Sequence, residues 1–321
     1  MAITLTQLRS FLAVLRTGSV TAAADALVVT QPSVSAALSA LSRELGIELT
    51  ERVGRSVRPS PAGRAFAPYA ADVIGLLEQG TQAAREAAEA STREVRVSAV
   101  TTAGEHIVPP LMEAFSARHP DIALSVDVGN RARVFERIRS HASDIAIAGR
   151  PPSDGAIVGI PFLDNPIVLI AAPADPLVRA GEASVAELGT RPWLLREEGS
   201  GTRAMAEEFL AANDLHPEIL TLGSNGAIKH SARACLGISL QSRLAADLEL
   251  ELGLLATIET SASLPVREWF LLQPARGPVR PSVQQFAEFA AGKDARRAVE
   301  QARLLWAPSE PPAPARGRSA G

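Results

Sequence analysis

The sequence predicts a multidomain α+β protein, with a small helical unit at the N-terminus, one long helix, and a larger α/β unit at the C-terminus. Three observations support this prediction. The chain has 321 residues, too many for one typical small domain. Apolar residues recur at helical spacing through the first 45 positions. After position 94, short apolar runs alternate with amphipathic stretches, as expected for strands that alternate with helices.

The composition is that of a globular protein and argues against several classes of function. Hydrophobic residues make up 46% of the chain and charged residues 21%, which is ordinary for a soluble domain. No apolar run approaches the roughly 18 residues of a membrane helix. The first residues lack the basic, apolar and cleavage regions of a signal peptide. We therefore expect a cytoplasmic protein without membrane contact.

The residue types that usually carry catalysis or bind metals form no recognisable pattern. The five histidines are scattered without metal-ligand spacing, and Ser200 lies outside a Gly-x-Ser-x-Gly nucleophile motif. The single cysteine, Cys235, has no partner for an internal disulfide. Its apolar neighbours predict a buried side chain, with a redox sensor as the alternative. We expect no enzyme activity, no metal and no cofactor.

Three helices are predicted in the N-terminal unit. Residues 5–16 place their apolar side chains on one face. Ser19 is a natural N-cap for a second helix over 20–27, and Thr30 is expected to cap a third helix that ends at Gly46. Two short helices joined by a tight turn are typical of a DNA-reading helix-turn-helix. A three-helix bundle used for protein contacts fits the same pattern.

The third helix would present polar side chains at its N-terminal and outer face. Glutamine can read adenine edges, and serine binds bases or phosphates. Residues 49–60 predict a hairpin wing whose arginines would touch the DNA backbone or the minor groove. Residues 1–64 hold seven arginines and four acidic residues, whereas the whole chain has a net charge of −3. Such a basic head on an acidic body fits DNA binding. The candidate DNA-binding residues are Gln31, Ser33, Ser35, Ser39, Arg52 and Arg55.

The rest of the chain divides by composition. We predict a winged helix-turn-helix head at 1–61, a linker helix at 62–91, a body at 92–305 and a disordered tail at 306–321. The long linker helix needs a partner for its apolar side, which indicates dimerisation. Body strands are predicted at 94–100, 122–128, 144–148, 167–172, 193–196 and 266–273, and body helices at 105–118, 131–140, 202–213, 225–235, 243–250 and 281–305.

Hydroxyl and amide side chains mark three junctions between a strand and the next helix in the body. Helix starts offer backbone N–H groups and a positive dipole end, so these junctions indicate an anion site. Each junction alone is more often a plain N-cap, and each nearby cation more often a surface charge. The candidate anion-binding residues are Thr101, Thr102, Asn130, Arg131, Arg150, Ser200, Gly201, Thr202, Asn225 and Lys229.

The head carries a combination of motifs that resembles the LysR-type transcriptional regulators. The matching runs are Leu5-Thr-Gln-Leu-Arg-Ser-Phe-Leu-Ala-Val, Gly18-Ser-Val-Thr-Ala-Ala-Ala, Thr30-Gln-Pro-Ser-Val-Ser and Pro61-Ala-Gly. The resemblance implies a bacterial regulator that binds double-stranded promoter DNA and a small anionic effector. It also implies a homodimer or homotetramer and contact with RNA polymerase. Ala36 and Ser39 stand where basic or larger polar residues are common, which predicts weaker or less salt-dependent DNA binding.

The same resemblance implies the architecture of the body. It would consist of two α/β subdomains like those of type II periplasmic binding proteins, at 94–163 with 267–305 and at 164–266. Effectors bind in the cleft between such lobes. A solute-binding protein of a transporter is the alternative, against which the helical head and the missing signal peptide argue.

Body motifs narrow the resemblance to the CbbR-like branch, which regulates Calvin-cycle operons and responds to phosphorylated sugars and related metabolites. The matching runs are Val128-Gly-Asn-Arg131, Asp144-Ile-Ala-Ile-Ala-Gly-Arg-Pro-Pro152, Arg196-Glu-Glu-Gly-Ser-Gly-Thr-Arg203 and Arg267-Glu-Trp269. Arginine, lysine and hydroxyl groups suit phosphate chemistry. Sulfur-assimilation regulators share the Gly-Ser-Gly-Thr-Arg loop and are the alternative regulon. Gly226 departs from the glutamate that the branch often has there.

Overall fold

The computed structural model describes residues 2–54, 56–89 and 93–304. Arg55 and the predicted tail at 306–321 lie outside the described residues. The head consists of α1 (Leu5–Thr17), α2 (Val20–Leu27), α3 (Gln31–Leu45), β1 (Thr50–Val53) and β2 (Ser56–Pro59), and α4 (Pro61–Ala88) follows it.

The body contains two lobes of strands and helices. The first part comprises β3 (Glu94–Val100), α5 (Thr101–His106), α6 (Val108–Ser116), β4 (Ala123–Gly129), α7 (Arg131–Arg139), β5 (Ile145–Ala148) and β6 (Ile157–Asp164). The middle comprises β7 (Ile167–Ala171), α8 (Pro176–Arg179), β8 (Glu182–Ala183), α9 (Val185–Leu188), β9 (Trp193–Arg196), α10 (Gly201–Ala212), β10 (Ile219–Leu222), α11 (Asn225–Arg233), β11 (Ser239–Ser242), α12 (Arg243–Glu251), β12 (Ala256–Thr257) and β13 (Glu259–Thr260). The last part comprises β14 (Glu268–Pro274), α13 (Pro281–Ala291) and α14 (Lys293–Leu304).

Local capping explains where the head helices begin and end. Gly18 takes a left-handed conformation (φ 66°) at the end of α1, and the Ser19 hydroxyl accepts a hydrogen bond from the Ala22 N–H. The prediction for Thr30 was wrong in one respect, because its hydroxyl does not cap α3 and instead bonds to Ser33 Oγ at 2.8 Å. Val28 occupies the turn at φ 56° and is 91% exposed, a strained conformation for a β-branched residue.

The first turns of α4 belong to the core of the head. Ala70 is buried with Leu8, Phe11 and Leu41. Gly63 packs so tightly on the end of the head that an added Cβ would lie 1.9 Å from the Leu49 carbonyl oxygen. The N-terminal part of α4 is therefore a structural part of the head.

Beyond the head, α4 exposes an apolar stripe. Tyr69, Val73 and Leu77 recur every four residues and are 59%, 50% and 46% exposed, so they share one face of the helix. Pro68 lies inside this helix without ending it. Across the described residues, none of the helices combines the length and the apolarity needed to cross a membrane.

The first subdomain is built on a five-stranded sheet of order β4-β3-β5-β14-β6. Strand β3 pairs in parallel with β4 and β5, and β14 pairs antiparallel with β5 and β6. Helices α6 and α13 cover one face, where Phe115 and Phe286 meet edge to face at 5.1 Å between ring centroids.

Two long helices predicted in this subdomain are each divided in the structure. The helix predicted at 105–118 is α5 followed by α6, with the break at Ile107. Pro109 and Pro110 explain the break, because neither has an N–H to donate to the carbonyls of Glu105 and His106, four residues earlier. The helix predicted at 281–305 breaks at Gly292, which has extended backbone (φ −79°, ψ 169°).

The second subdomain contains three small sheets, of order β11-β7-β12, β10-β9 and β13-β8. Its core is centred on Trp193, which is fully buried and stacks on Phe209. The chain enters and leaves this lobe through adjacent segments, because the Asn165 N–H donates to the Arg267 carbonyl at 3.0 Å. The sequence did not predict β6, β10 or β11, since strands of four to eight residues without clean alternation resemble loops.

Cys235 is exposed, so the prediction that it is buried was wrong. It follows α11 at φ 61°, in the left-handed position that often ends a helix. Apolar neighbours in the sequence therefore do not imply burial here, since Leu236 is itself 53% exposed.

A buried ionic cluster fastens the C-terminal end of α4 to the first subdomain. The Arg280 guanidinium bonds to Glu86 of α4 and, at 2.7 Å, to Asp144. Arg96 also pairs with Asp144, at 2.9 Å. Burial alone would raise the pKa of Asp144, but the hydrogen bonds and charges of Arg96 and Arg280 outweigh it and hold that pKa below its usual range. This contribution to stability is complete above the ordinary pKa of about 3.9 and is lost as pH falls through the lowered value.

Replacement of the central cation should strongly destabilise the body. Arg280→Met leaves two buried carboxylates short of a partner, and we expect the free energy of unfolding to fall by about 3–5 kcal/mol in urea denaturation. Arg93→Met is the matched control, because Arg93 pairs with Asp121 at 2.7 Å on the exposed surface and should cost less than about 1 kcal/mol. Equal losses for both variants would contradict the structural role of the cluster.

Candidate functional site

A cavity lies between the two subdomains at the point where the chain crosses from one to the other. Its volume is about 80 Å³, small beside the roughly 300–1,000 Å³ of pockets for drug-sized ligands. Residues from both lobes line it, so its shape depends on how the lobes are arranged. The predicted anion-binding residues that it brings together are Thr101, Thr102, Asn130, Arg131, Ser200, Gly201 and Thr202.

The loop before α10 forms one wall of the cavity and approaches α7 very closely. A Cβ at Gly201 would lie 3.2 Å from the Arg131 side chain, and one at Gly199 would lie 3.2 Å from Ala132. The Ala132 N–H donates to the Gly199 carbonyl at 3.2 Å. Ser200 is buried, and its hydroxyl makes no capping bond to α10. Small residues in this loop therefore let the two lobes meet across a narrow polar space.

Three arginines line the cavity, and one of them has no carboxylate partner in the part of the chain that the structure describes. Arg196 pairs with Glu197 at 2.7 Å and Arg267 with Glu208 at 3.0 Å. Among the described residues, no carboxylate lies within ion-pair distance of Arg131, whose guanidinium donates to a backbone carbonyl and lies over the Phe135 ring. Burial lowers the pKa of Arg131, and the charge of Arg267 lowers it further. The negative charge of a bound anion would offset both effects, because it stabilises the protonated guanidinium.

Three predicted residues do not line this cavity. The Arg150 side chain is exposed and lies 3.8 Å from Glu268. Asn225 is buried behind the wall, where it bonds to Arg196 and donates to Thr102 Oγ1 at 3.0 Å. Lys229 lines a separate groove of about 820 Å³ and pairs with Glu249 at 2.7 Å. In the sequence these three residues lie close to the loops that line the cavity. Their side chains instead contact partners that are at least 20 positions away along the chain.

The cavity also contains residues that the sequence prediction of the site omitted. Arg196 is the last residue of β9, and Arg267 lies in the segment that returns from the second lobe. Asn165 and Ser242 bond to each other at 2.6 Å along the same edge. Their positions in the sequence could have indicated them, because ligands of two-lobed folds bind where the chain crosses between the lobes.

The head presents its candidate residues to solvent on one surface. Gln31, Ser33, Ser35 and Ser39 are all exposed on α3, and Arg52 is exposed on β1. Arg55 lies outside the described residues. Strands β1 and β2 form the antiparallel hairpin predicted as the wing. The inner side of α3 packs through Val34 and Leu41 into the head cores. This is the geometry of a winged helix-turn-helix, in which the outer face of the second helix is free to enter the major groove.

Comparison with known proteins establishes the class to which this fold and site belong. Residues 5–64 match the bacterial regulatory helix-turn-helix proteins of the lysR family, and residues 88–295 match the LysR substrate binding domain. The chain belongs to the LysR family of DNA-binding transcriptional regulators. It is therefore a regulator and not an enzyme, and the solute-binding alternative is not favoured.

Curated relatives lie in the CbbR-like branch that the body motifs indicated. The HTH-type transcriptional activator CmpR of Synechocystis is 32% identical over 299 residues, which cover 93% of this chain and 98% of that protein. The RuBisCO operon transcriptional regulator of Allochromatium vinosum is 33% identical, over 92% of this chain and 98% of its own.

Solved structures agree with this assignment. The regulatory domain of Synechocystis CcmR, solved in complex with 2-PG, is 28% identical and covers 62% of this chain and 95% of its own, with a TM-score of 0.59. Full-length OxyR from Pseudomonas aeruginosa shares the fold at 22% identity and a TM-score of 0.63, over 92% of this chain and 97% of its own.

The low charge of α3 predicts a shallow salt dependence of DNA binding. The sequence has no Lys or Arg between Gln31 and Ser42. Ser39→Arg adds a cation at an exposed position, so DNA affinity should rise at low salt. The slope of log K against log salt concentration should steepen by about 0.9 for each new phosphate contact. Fluorescence anisotropy measures this with a duplex that the chain itself selects from a random library.

Ala180→Arg is the matched control for charge, because Ala180 is exposed in the second subdomain, away from the head. It should leave the slope unchanged. A wild-type slope as steep as that of regulators with a basic recognition helix would contradict the prediction, as would equal steepening by both variants.

Proposed function

We propose that the cavity between the lobes binds a small phosphorylated anion and that this binding changes how the chain regulates promoters of carbon-assimilation operons. The observation that carries the proposal is the Arg131 guanidinium, which lines a small cavity and has no carboxylate partner among the described residues. A ligand with a phosphate group would supply the missing negative charge and accept hydrogen bonds from the surrounding hydroxyls.

The relatives support the same class of ligand and target. CcmR, whose regulatory domain resembles this body, was solved with 2-phosphoglycolate (2-PG). Two relatives are named as RuBisCO operon regulators. A cavity of about 80 Å³ suits an acid of that size better than a sugar bisphosphate. The sulfur-assimilation alternative would place sulfate in the same cavity, and the relatives do not favour it.

The ligand-contacting residues in this proposal are those that the structure gathers at the cavity. They are Thr101, Thr102, Asn130, Arg131, Ser200, Gly201 and Thr202 from the sequence prediction, together with Arg196 and Arg267. The phosphate would lie near Arg131 and the start of α10, a helix of 12 residues with a positive dipole end.

DNA binding is assigned to the head. In this proposal Gln31, Ser33, Ser35 and Ser39 contact the major groove, and Arg52 and Arg55 of the wing contact the backbone or minor groove. The apolar stripe Tyr69–Val73–Leu77 of α4 pairs with a second copy, which gives a homodimer and, through the bodies, a homotetramer. Such a complex would act on cytoplasmic DNA and would contact RNA polymerase at the promoter.

Removal of one cavity hydroxyl should weaken binding of the ligand. Thr202→Val keeps the shape of the side chain but loses a hydrogen bond to a charged group, so the affinity for 2-phosphoglycolate should fall about 10- to 100-fold. Isothermal titration calorimetry of the full chain measures this. Glycolate, which lacks the phosphate, should bind far more weakly than 2-phosphoglycolate to the unsubstituted chain.

Thr190→Val serves as the matched control, because the Thr190 hydroxyl bonds to the Glu187 carbonyl on the surface of the second lobe. It should leave the affinity unchanged. Tighter binding of sulfate than of any phosphorylated acid or sugar would replace the proposal with the sulfur-type alternative. The absence of binding by all of these anions would refute it.

A further inference from the structure

Helix α7 contacts both the second lobe beside the cavity and, through the residues after its C-terminal end, the linker helix α4. At its N-terminal end it meets the second lobe, where Ala132 bonds to Gly199 and Arg131 packs on Gly201 beside the cavity. At its C-terminal end the chain runs through Ser140 into His141, which contacts the linker helix α4. A helix of nine residues spans about 14 Å between these points.

The contact between His141 and α4 is tight and specific. The His141 side chain is 1% exposed. Its Nδ1 lies 3.2 Å from Gln79 Nε2 and its Nε2 lies 3.1 Å from Asp72 Oδ1, so both ring nitrogens face α4. Gly75 lies between these two partners on the helix. A Cβ there would come within 2.4 Å of the His141 Cβ and 2.7 Å of the Ser140 carbonyl oxygen.

Helix α7 is packed firmly enough to carry a displacement from one end to the other. Val134, Phe135 and Ile138 are buried in one cluster on the sheet. Arg137 bonds to the hydroxyls of Ser98 and Ser143 at 3.2 and 3.1 Å, which holds the segment after α7 to strand β3. Packed elements of this kind shift as units, because protein interiors are too dense to deform smoothly.

The backbone conformation of His141 also helps to hold its side chain against α4. Its φ is +56°, a conformation that residues other than glycine rarely adopt outside such turns. This turn brings the imidazole out of the end of α7 and against α4.

We infer that α7 couples the cavity to the DNA-binding head and that His141 is the positioning residue that sets α4 against the body. The inference rests on the proposed function, since it describes how occupation of the cavity reaches the head. Movement of the Gly199–Gly201 wall shifts α7, and His141 transmits the shift to α4, which is continuous with the core of the head. Coupling of this kind is a change in DNA affinity caused by the ligand.

The first test separates coupling from binding in the full chain. Gly75→Ala places a methyl group against His141 and Ser140. It should leave the affinity for 2-phosphoglycolate within about twofold of the unsubstituted chain, while the ligand-induced change in DNA affinity, at least about fivefold in that chain, falls below about twofold. Gly80→Ala is the matched control on the same helix, because nothing lies within 4 Å of a Cβ there, and it should retain the full change.

A second variant guards against a folding defect in the first. His141→Gly removes the imidazole and suits the local φ of +56°, so it should also lose the ligand-induced change while it binds ligand normally. Asp214→Gly is its control, because Asp214 has φ 52° and is exposed in the second lobe. Retention of the full change in both Gly75→Ala and His141→Gly would overturn the inference.

A ligand-free test keeps the inference separate from the proposed function. Asn130→Ala removes the side chain that caps α7 through the Arg133 N–H. Hydrogen exchange should then accelerate in α7 and also in residues 72–79 of α4. Ser224→Ala removes the equivalent cap of α11 and should not affect α4. If exchange changes in α7 alone, α7 does not position α4. If exchange changes as expected but no phosphorylated anion binds, the proposed ligand class is wrong and the coupling stands.

Discussion

The Arg280 guanidinium, buried between Glu86 and Asp144, joins the linker helix to the body, and the rest of the architecture depends on that joint. At its other end α4 is part of the head core through Ala70 and cannot separate from the wing at Gly63. One helix is thus packed into two domains. A new orientation of the head relative to the body therefore requires a change at one of these contacts or a bend of α4 between them. In the coupling that we propose, the ligand acts on the head through the contacts of α4.

The cavity has a deficit of negative charge, because three arginines line it against one carboxylate, Glu268, among the described residues. Two of its arginines have carboxylate partners, while Arg131 is left with a carbonyl and an aromatic ring. Partial burial makes that deficit costly, so an anion is favoured more there than at the surface. The narrow space set by Gly199 and Gly201 limits the size of the anion. The charge and the size of the cavity both depend on contact between the lobes, and both match the small anion of the proposed function.

The DNA-binding face of α3, unlike the cavity, has few positive charges. Helix α3 offers hydroxyls and an amide but no cation before Arg43, so it supplies groups that read bases more than groups that hold phosphates. In the proposed function, affinity then depends on the wing arginines and on several heads that bind one promoter together. A regulator of this kind is sensitive to the spacing of its heads. That property makes the position of α4 an effective point of control.

The sequence by itself determined the head, because its signals are local. Helix periodicity, the Ser19 cap and the glycines after α1 and α3 act over a few residues, and the combined motifs identified the family and its branch. It also identified seven of the cavity residues, since strand ends and helix starts indicate the edges where ligands bind. Only the tertiary structure decided which cations meet there: Arg196 and Arg267 line the cavity, whereas Lys229 pairs with Glu249 in another groove. It also placed His141 against Gly75, 66 positions away in the chain. Such pairings depend on how whole lobes pack, and short-range sequence patterns carry no information about that.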